Sequence, residues 1–160
     1  MTQQQDQQDD LDPAGYAAAV GESRERLLDY LARCGDQDWA AAPVPGDPRP
    51  VGVILDHVAH AYEYLAAWIG GILAGRPPEV SAELVDGMNA EHAAAAAGIS
   101  QAQVAAHLRA SGDQLMALIA GLHPGQLDLE GERVRRLAQI AAQHADNHRT
   151  EIEAALRPSG

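Results

Sequence analysis

The chain has 160 residues, the size of one domain whose core needs no disulfide or metal to stabilise it. Its formal net charge is -12, and all 11 of its cations are arginines, because the sequence contains no lysine. A surface this acidic repels phosphate backbones and anionic lipids, so we expect neither nucleic acid nor a membrane surface as a partner.

Cysteine usage and the N-terminus indicate a cytoplasmic protein. Cys34 is the only cysteine and cannot form a disulfide within the chain, as expected in a reducing compartment. We interpret it as a small residue at a helix end and not as a nucleophile, since no histidine is near it in sequence. Residues 1–11 lack the basic and apolar regions of a signal peptide and predict a disordered tail. The longest apolar run, residues 64–75, is shorter than the roughly twenty residues of a membrane span.

The first predicted helix begins at Asp12 and Pro13, because aspartate can accept the free backbone amides and proline suits the first helical position. It continues to Cys34, and Gly35 is expected to end it in the left-handed conformation. Residues 35–50 contain four prolines and two glycines and predict a loop with neither a helix nor a central strand. Trp39 is too apolar to be left in water, so we expect this loop to be ordered.

The second helix begins at Pro50 and ends between residues 70 and 75. On a helical wheel its apolar arc includes five residues: Ile54, Ala61, Leu65, Trp68 and Ile72. His57 lies just inside one edge of this arc, whereas His60 lies roughly 60° further out. We therefore expect His57 to point inward and His60 to lie at the surface.

A long crossover, residues 79–98, leads to the third helix. Its middle predicts a short helix from Asn89 to Ala97, with Asn89 as the N-terminal cap and Gly98 as the stop. Ser100 and Gln103 have the spacing of a capping box and begin the third helix, which ends at residues 123–125.

A glycine-containing link, residues 126–132, precedes a last helix from Arg133 to about Leu156. No segment alternates with a period of two, and no internal repeat is present. Four long helices with one long crossover between the second and third predict an all-α protein, a four-helix bundle formed by residues 12–157 as a single domain.

The last helix contains the motif His144-Ala-Asp-Asn-His148. Two imidazoles four residues apart project from one side of a helix, and Leu137, Ala141 and Ile152 recur on that same side. A buried imidazole has to form a hydrogen bond or bind a ligand, and neutral imidazole is the commonest protein ligand of transition metals. The spacing alone is weak support, since seven histidines give about 0.3 such pairs by chance.

His57 of the second helix supplies a third imidazole on an apolar face. A metal held by His57, His144 and His148 would have three nitrogen ligands and an open position for water or substrate, the pattern of a catalytic site. His60, one turn after His57, is the alternative ligand. The remaining histidines have no partner that the sequence assigns, and we interpret them as surface residues: His92, His107 and His123.

Other interpretations of these histidines stay open at this point. They could be hydrogen-bonded core residues, or they could face a dimer interface. Ala145 stands where the motif H-E-x-x-H has its catalytic glutamate, so we exclude a metalloprotease of that class. Asp146, Asn147 and Glu151 could orient the imidazoles, but a solvated helix face explains them equally well.

Three segments resemble the DinB/YfiT-like superfamily, which includes the mycothiol-dependent maleylpyruvate isomerases and the bacillithiol transferases. They are DWAAAPVPGDPRPVGVILDHVAHAY, the asparagine of VDGMNAEH, and HADNHRTEI. The resemblance extends from about Asp12 to Leu156 and implies a four-helix bundle, commonly a homodimer. It also implies a divalent metal, zinc or nickel, on the three histidines. Many relatives have an aromatic residue followed by serine or threonine before the second helix, where this chain reads DPRP at residues 47–50.

The resemblance further implies thiol chemistry. A low-molecular-weight thiol at the open metal position would be deprotonated and could attack an electrophilic small-molecule substrate. A hydroxide in the same position would make the protein a metal-dependent hydrolase. The sequence shows no general base, and the alternative from another class is a non-catalytic dimeric bundle that binds a metal or a small ligand.

Overall fold

The computed structural model describes residues 11–157, which are mostly helical and contain no strand. This part of the chain has six α-helices and a 3-10 helix at Pro124–Asp128: α1 (Pro13–Arg33), α2 (Asp36–Ala40), α3 (Val51–Leu73), α4 (Ala82–Ala95), α5 (Gln101–Ala120) and α6 (Leu129–Leu156). The all-α class is confirmed. The tail predicted for residues 1–11 lies outside the described residues except at Leu11, which packs against the core.

The four long helices, α1, α3, α5 and α6, surround one apolar core. Helices α1 and α3 each pack against both α5 and α6. The largest fully buried side chains come from all four: Tyr16, Leu27, Ile54, Tyr62, Leu65, Leu108, Leu115 and Ile152. Burial of each such side chain stabilises the fold by roughly 1.5–3 kcal/mol, so these apolar faces fix α3 beside α6.

Helix α1 begins as predicted but ends differently. The Asp12 carboxylate accepts a hydrogen bond from the Gly15 amide at 2.7 Å. At the other end Cys34 is the C-cap residue, and burial raises the pKa of its thiol. The prediction that Gly35 ends α1 in the left-handed conformation is wrong. Gly35 has φ of -78° and is the N-cap residue of α2. An extended Cys34 already turns the chain out of α1, so no positive φ is required.

The segment of residues 35–50 is not wholly a loop, which corrects the sequence prediction. Helix α2 forms at the start of this segment because the first proline is Pro43. Asp36 and Asp38 lie in its first turn, where their negative charges interact favourably with the helix dipole and stabilise the helix. The Trp39 indole donates a hydrogen bond to the Ile99 carbonyl at 3.0 Å. This contact orders the segment, as its tryptophan led us to expect.

The crossover helix α4 is longer than predicted. Ser81, not Asn89, is its N-cap, and its hydroxyl accepts a hydrogen bond from the Leu84 amide at 3.1 Å. Asn89 therefore lies inside the helix. Gly98 does adopt the left-handed conformation predicted for a stop, with φ of 77°. The capping box of Ser100 and Gln103 is present at the start of α5.

Helix α6 starts with an unusual backbone. Glu130, Gly131 and Glu132 have positive φ of 54°, 60° and 65°, so the regular right-handed helix begins at Arg133, as predicted. The left-handed conformation costs a residue other than glycine about 1–2 kcal/mol, which the packing of the rest of α6 has to offset. Within residues 11–157, no helix combines the length and apolarity needed to cross a membrane.

Gly52 is a sensitive packing position, because a Cβ atom there would lie 2.6 Å from the Trp39 ring. We expect Gly52→Ala to displace this ring from α3 and lower the free energy of unfolding by about 1–3 kcal/mol, measured by urea denaturation. Gly70 of the same helix is a matched control, since a Cβ there has no neighbour within 4 Å. Gly70→Ala should stabilise the protein by about 0.5–1 kcal/mol, and equal effects of the two changes would contradict this packing.

Candidate metal centre

The three predicted histidines come together where α3 packs against α6. His57 lies in the second turn of α3, and His144 and His148 lie one turn apart on α6. One ring nitrogen from each histidine lies within 4.8 Å of the other two. The Nε2 atoms of His57 and His144 are 3.2 Å apart. Nitrogens bound tetrahedrally to one ion at ~2.05 Å are about 3.3 Å apart, so the three imidazoles could hold a metal ion.

The surrounding sequence explains why these imidazoles converge. Residues 51–59 of α3 are all buried, so His57 is carried into the protein with its apolar neighbours and is only 4% exposed. On α6 the residues facing the core near the histidine pair are the alanines Ala141 and Ala145. Their short side chains allow close approach of the two helices, and the longer imidazoles fill the remaining space.

Burial keeps these imidazoles uncharged. Burial, together with the charges of His144 and His148, lowers the pKa of His57 to about 2. Burial and the neighbouring His148 lower the pKa of His144 to about 4. Burial also lowers the pKa of His148. Near neutral pH each ring therefore retains a nitrogen lone pair, which is the form that binds a metal.

The segment before α3 places an arginine–aspartate ion pair near the three histidines. Arg49 donates hydrogen bonds to the Asp47 carboxylate from Nε at 3.0 Å and from Nη2 at 2.8 Å. This contact lowers the pKa of Asp47. The Arg49 charge lowers the pKa of all three imidazoles, and the Asp47 charge opposes this effect at His148.

The acidic residues around the α6 pair do not orient the imidazoles. Asp146 instead binds Arg26 at 2.7 Å and Arg149 at 3.1 Å. Asn147 and Glu151 are exposed, in agreement with the solvated helix face that the sequence left as one alternative. The Nδ1 atoms of His57 and His148 are buried without a hydrogen-bond partner. The rings of His57 and His148 are thus positioned at Nδ1 by packing and not by a hydrogen bond.

A second polar cluster, which the sequence did not reveal, lies next to the histidine site. Asp56 is 3% exposed and accepts hydrogen bonds from His92 Nε2 at 2.7 Å and from His107 Nδ1 at 2.7 Å. His107 also contacts Glu63. Burial lowers the pKa of His107, but its bonds to Asp56 and Glu63 outweigh this effect and raise it. The interpretation of His92 and His107 as surface residues is therefore wrong.

The physical reason for this correction is the position of the crossover. Helix α4 packs on α3 and brings His92 over Asp56, next to the site. His60 is half-buried and stacks on His92, with ring centroids 4.9 Å apart, so it is not grouped with the three convergent histidines. His123 is exposed, as expected. The sequence did contain a signal for this cluster, namely a carboxylate within the strongly apolar stretch of α3. A buried Asp56 requires hydrogen-bond donors from elsewhere in the chain.

The relationship of the chain to known proteins agrees with this geometry. A sequence model of the DinB superfamily matches residues 19–152, a span that contains all three histidines. The chain belongs to the DinB superfamily. No protein of curated function and no solved structure matches it significantly. Membership confirms the resemblance seen in the sequence, whereas the reaction has to be argued from the site.

The low pKa of His144 predicts how the metal-free protein responds to acid. The unfolded chain binds a proton at this residue below about pH 6.5, and the folded chain binds it only near pH 4. The contribution of His144 to the free energy of unfolding is therefore fully present above pH 6.5 and is lost as the pH falls from 6.5 toward 4. Between about pH 7.5 and about pH 5 we expect a loss of about 2 kcal/mol from this group, measured by urea denaturation.

His144→Asn is the matched variant for this experiment, because it keeps a polar side chain and removes the titrating ring. Its stability should fall less than that of the unaltered protein over the same pH range. Parallel pH profiles of the two proteins would contradict a half-buried, neutral His144.

Proposed function

We propose that the protein is a divalent-metal-dependent enzyme of the thiol-transferase type, with His57, His144 and His148 as metal ligands. The observation that supports this is the convergence within 4.8 Å of three neutral imidazoles, of which His57 is buried and His144 and His148 are half-buried. Imidazole suits zinc and nickel, the two metals that we propose. A bound ion of this kind would lower the pKa of a thiol or a water molecule in its remaining position.

The protein side chains favour an anionic reactant at this site. The three ligands would be neutral, so they leave the positive charge of an ion uncompensated. Arg49 lies within electrostatic reach, and its Asp47 partner fixes the guanidinium in place while offsetting part of its charge. A thiolate from a low-molecular-weight thiol is such an anion, and the proposed reaction is its attack on an electrophilic small molecule.

We also propose that the four long helices form a four-helix bundle and that the protein acts as a cytoplasmic homodimer. The contacts of α1 and α3 with both α5 and α6 support the bundle. The unpaired Cys34 supports a reducing compartment. The dimer rests only on what the superfamily resemblance implies.

Two alternatives use the same three histidines. Hydrolysis would use the same three histidines, with water in place of the thiol. A non-catalytic metal-binding function is favoured by the engagement of Asp146 with two arginines, because that carboxylate is then not free to act as a base. A purely structural metal site would normally have a fourth protein ligand, and within residues 11–157 the group of convergent side chains has three members.

Metal binding can be tested on protein purified without a histidine tag, stripped of metal and dialysed against zinc or nickel. We expect about one equivalent per chain, and we expect His57→Gln or His148→Gln to weaken binding by more than about a hundredfold in calorimetry. His123→Gln is the matched control, since His123 is exposed and lies outside the group of three. Less than about a tenth of an equivalent, unchanged by His148→Gln, would refute the metal site.

The reaction class can be tested with the metal-loaded protein, an electrophile such as 1-chloro-2,4-dinitrobenzene, and a panel of low-molecular-weight thiols. We expect thioether formation to exceed the uncatalysed rate with at least one thiol and to fall by about a hundredfold in His144→Gln. Substrate turnover that needs no thiol would favour the hydrolase. If the unaltered protein and His144→Gln gave equal rates with every thiol, the non-catalytic alternative would be favoured.

A further inference from the structure

A groove of about 640 Å³ lies at the far end of the contact between α3 and α6. Trp68 forms its α3 side, and the segment just before α4 contributes Pro78 and Val80. Helix α6 contributes four residues: Arg133, Arg136, Leu137 and Ile140. This volume lies in the range of small-molecule sites, which are typically about 300–1,000 Å³.

Large apolar side chains are left in water at this groove. Within residues 11–157 the exposed large hydrophobic residues are Val80, Leu84, Leu129 and Ile140, and two of these four line the groove. Val80 is 36% exposed and Ile140 is 48% exposed. Leu137, which also lines the groove, is buried. An apolar body placed here would therefore remove these side chains from water, which is favourable.

The charges of the groove select an anion. Neither Arg133 nor Arg136 forms an ion pair with any described residue. Arg136 Nη1 donates to the Gly131 carbonyl at 2.6 Å, which leaves its other donors available. Glu79 is the one carboxylate of the lining, so the two guanidiniums exceed it. The lining of the groove thus carries a net positive charge on a chain whose own net charge is -12.

The groove and the histidine site lie along the same two helices. On α6, Ile140 precedes His144 by one turn, which is about 6 Å along the axis. On the α3 side, rings contact one another in series: Trp68 and Tyr64 at 4.6 Å, Tyr64 and His60 at 5.6 Å, His60 and His92 at 4.9 Å, and His92 and His57 at 6.1 Å. The two helices run in opposite directions here, since Trp68 lies beside residues 133–140 and His57 lies beside His144.

We propose that this groove binds the apolar body and the carboxylate of an elongated organic anion, which is the substrate of the neighbouring site. The carboxylate contacts Arg133 and Arg136, the body lies against Trp68 and Ile140, and the other end points toward the histidines. Arg136 precedes His144 by two turns, so the anionic and reactive ends are about 12 Å apart. The role as substrate rests on the proposed function, whereas binding to the groove does not require a metal.

Binding can be measured with decanoate, an alkyl carboxylate, by isothermal titration calorimetry and by the emission of Trp68. The chain has two tryptophans, so Trp39→Phe leaves Trp68 as the only fluorescent tryptophan. If that variant unfolds, calorimetry on the unaltered protein measures the binding instead. We expect saturable binding of decanoate and at least about tenfold weaker binding of decyltrimethylammonium, which has the same body and the opposite charge. Equal binding of the two amphiphiles would overturn the proposal.

Groove variants locate the binding. The double variant Arg133→Gln/Arg136→Gln and the single variant Ile140→Glu should each weaken decanoate binding at least about tenfold without lowering Tm. The matched control is Arg109→Gln/Arg157→Gln, two exposed arginines outside the groove lining. Equal losses in the control, or none in the groove variants, would refute this location. Conversion of a dimer to a monomer by Ile140→Glu in sedimentation would show a second copy as the occupant and also overturn the proposal.

The triple variant His57→Gln/His144→Gln/His148→Gln separates this inference from the proposed function. This variant should bind no metal, but its affinity for decanoate should stay within about threefold of that of the unaltered protein. If the unaltered protein bound metal but not decanoate, the proposed groove site alone would be refuted. Groove binding without any metal binding in the unaltered protein would refute the proposed metal function alone.

Discussion

The packing of α3 against α6 is the contact on which the rest of the structure depends. It buries His57 among apolar neighbours and holds it 3.2 Å from His144, measured between the Nε2 atoms. Removal from water depresses the pKa of each ring, and this keeps the three lone pairs free. The same helix pair, followed toward the start of α6, opens into the groove beside Trp68. Site and groove are therefore two parts of one interface.

A buried carboxylate attaches the crossover to this interface. Asp56 precedes His57 in sequence and faces α4 and α5, so successive residues of α3 serve different purposes. Its bonds to His92 and His107 satisfy a charge that would otherwise be expensive to bury. Loss of Asp56 would remove the hydrogen-bond partner of both histidines, of which His92 lies beside His57.

The sequence predicted the parts of this protein that follow local rules. The caps at Asp12 and Ser100 and the apolar face with His57 are decided within a few residues, and each is present. The errors come from long-range contacts. Periodicity cannot show that α4 folds back on α3, so His92 appeared to have no partner although Asp56 is 36 residues away. Likewise nothing near Arg49 in sequence indicated that its charge acts on a histidine of the last helix.

The segment between α2 and α3 sets the charge beside the site, yet it contributes little to the core. Val44 packs against the core from its edge, while Asp47 and Arg49 chiefly bind each other. Substitutions at these two positions can therefore change the electrostatic preference of the site while the histidine ligands and the helices that carry them stay as they are. Evolution within such a scaffold can exchange one reactant for another through a few loop residues, at little risk to folding.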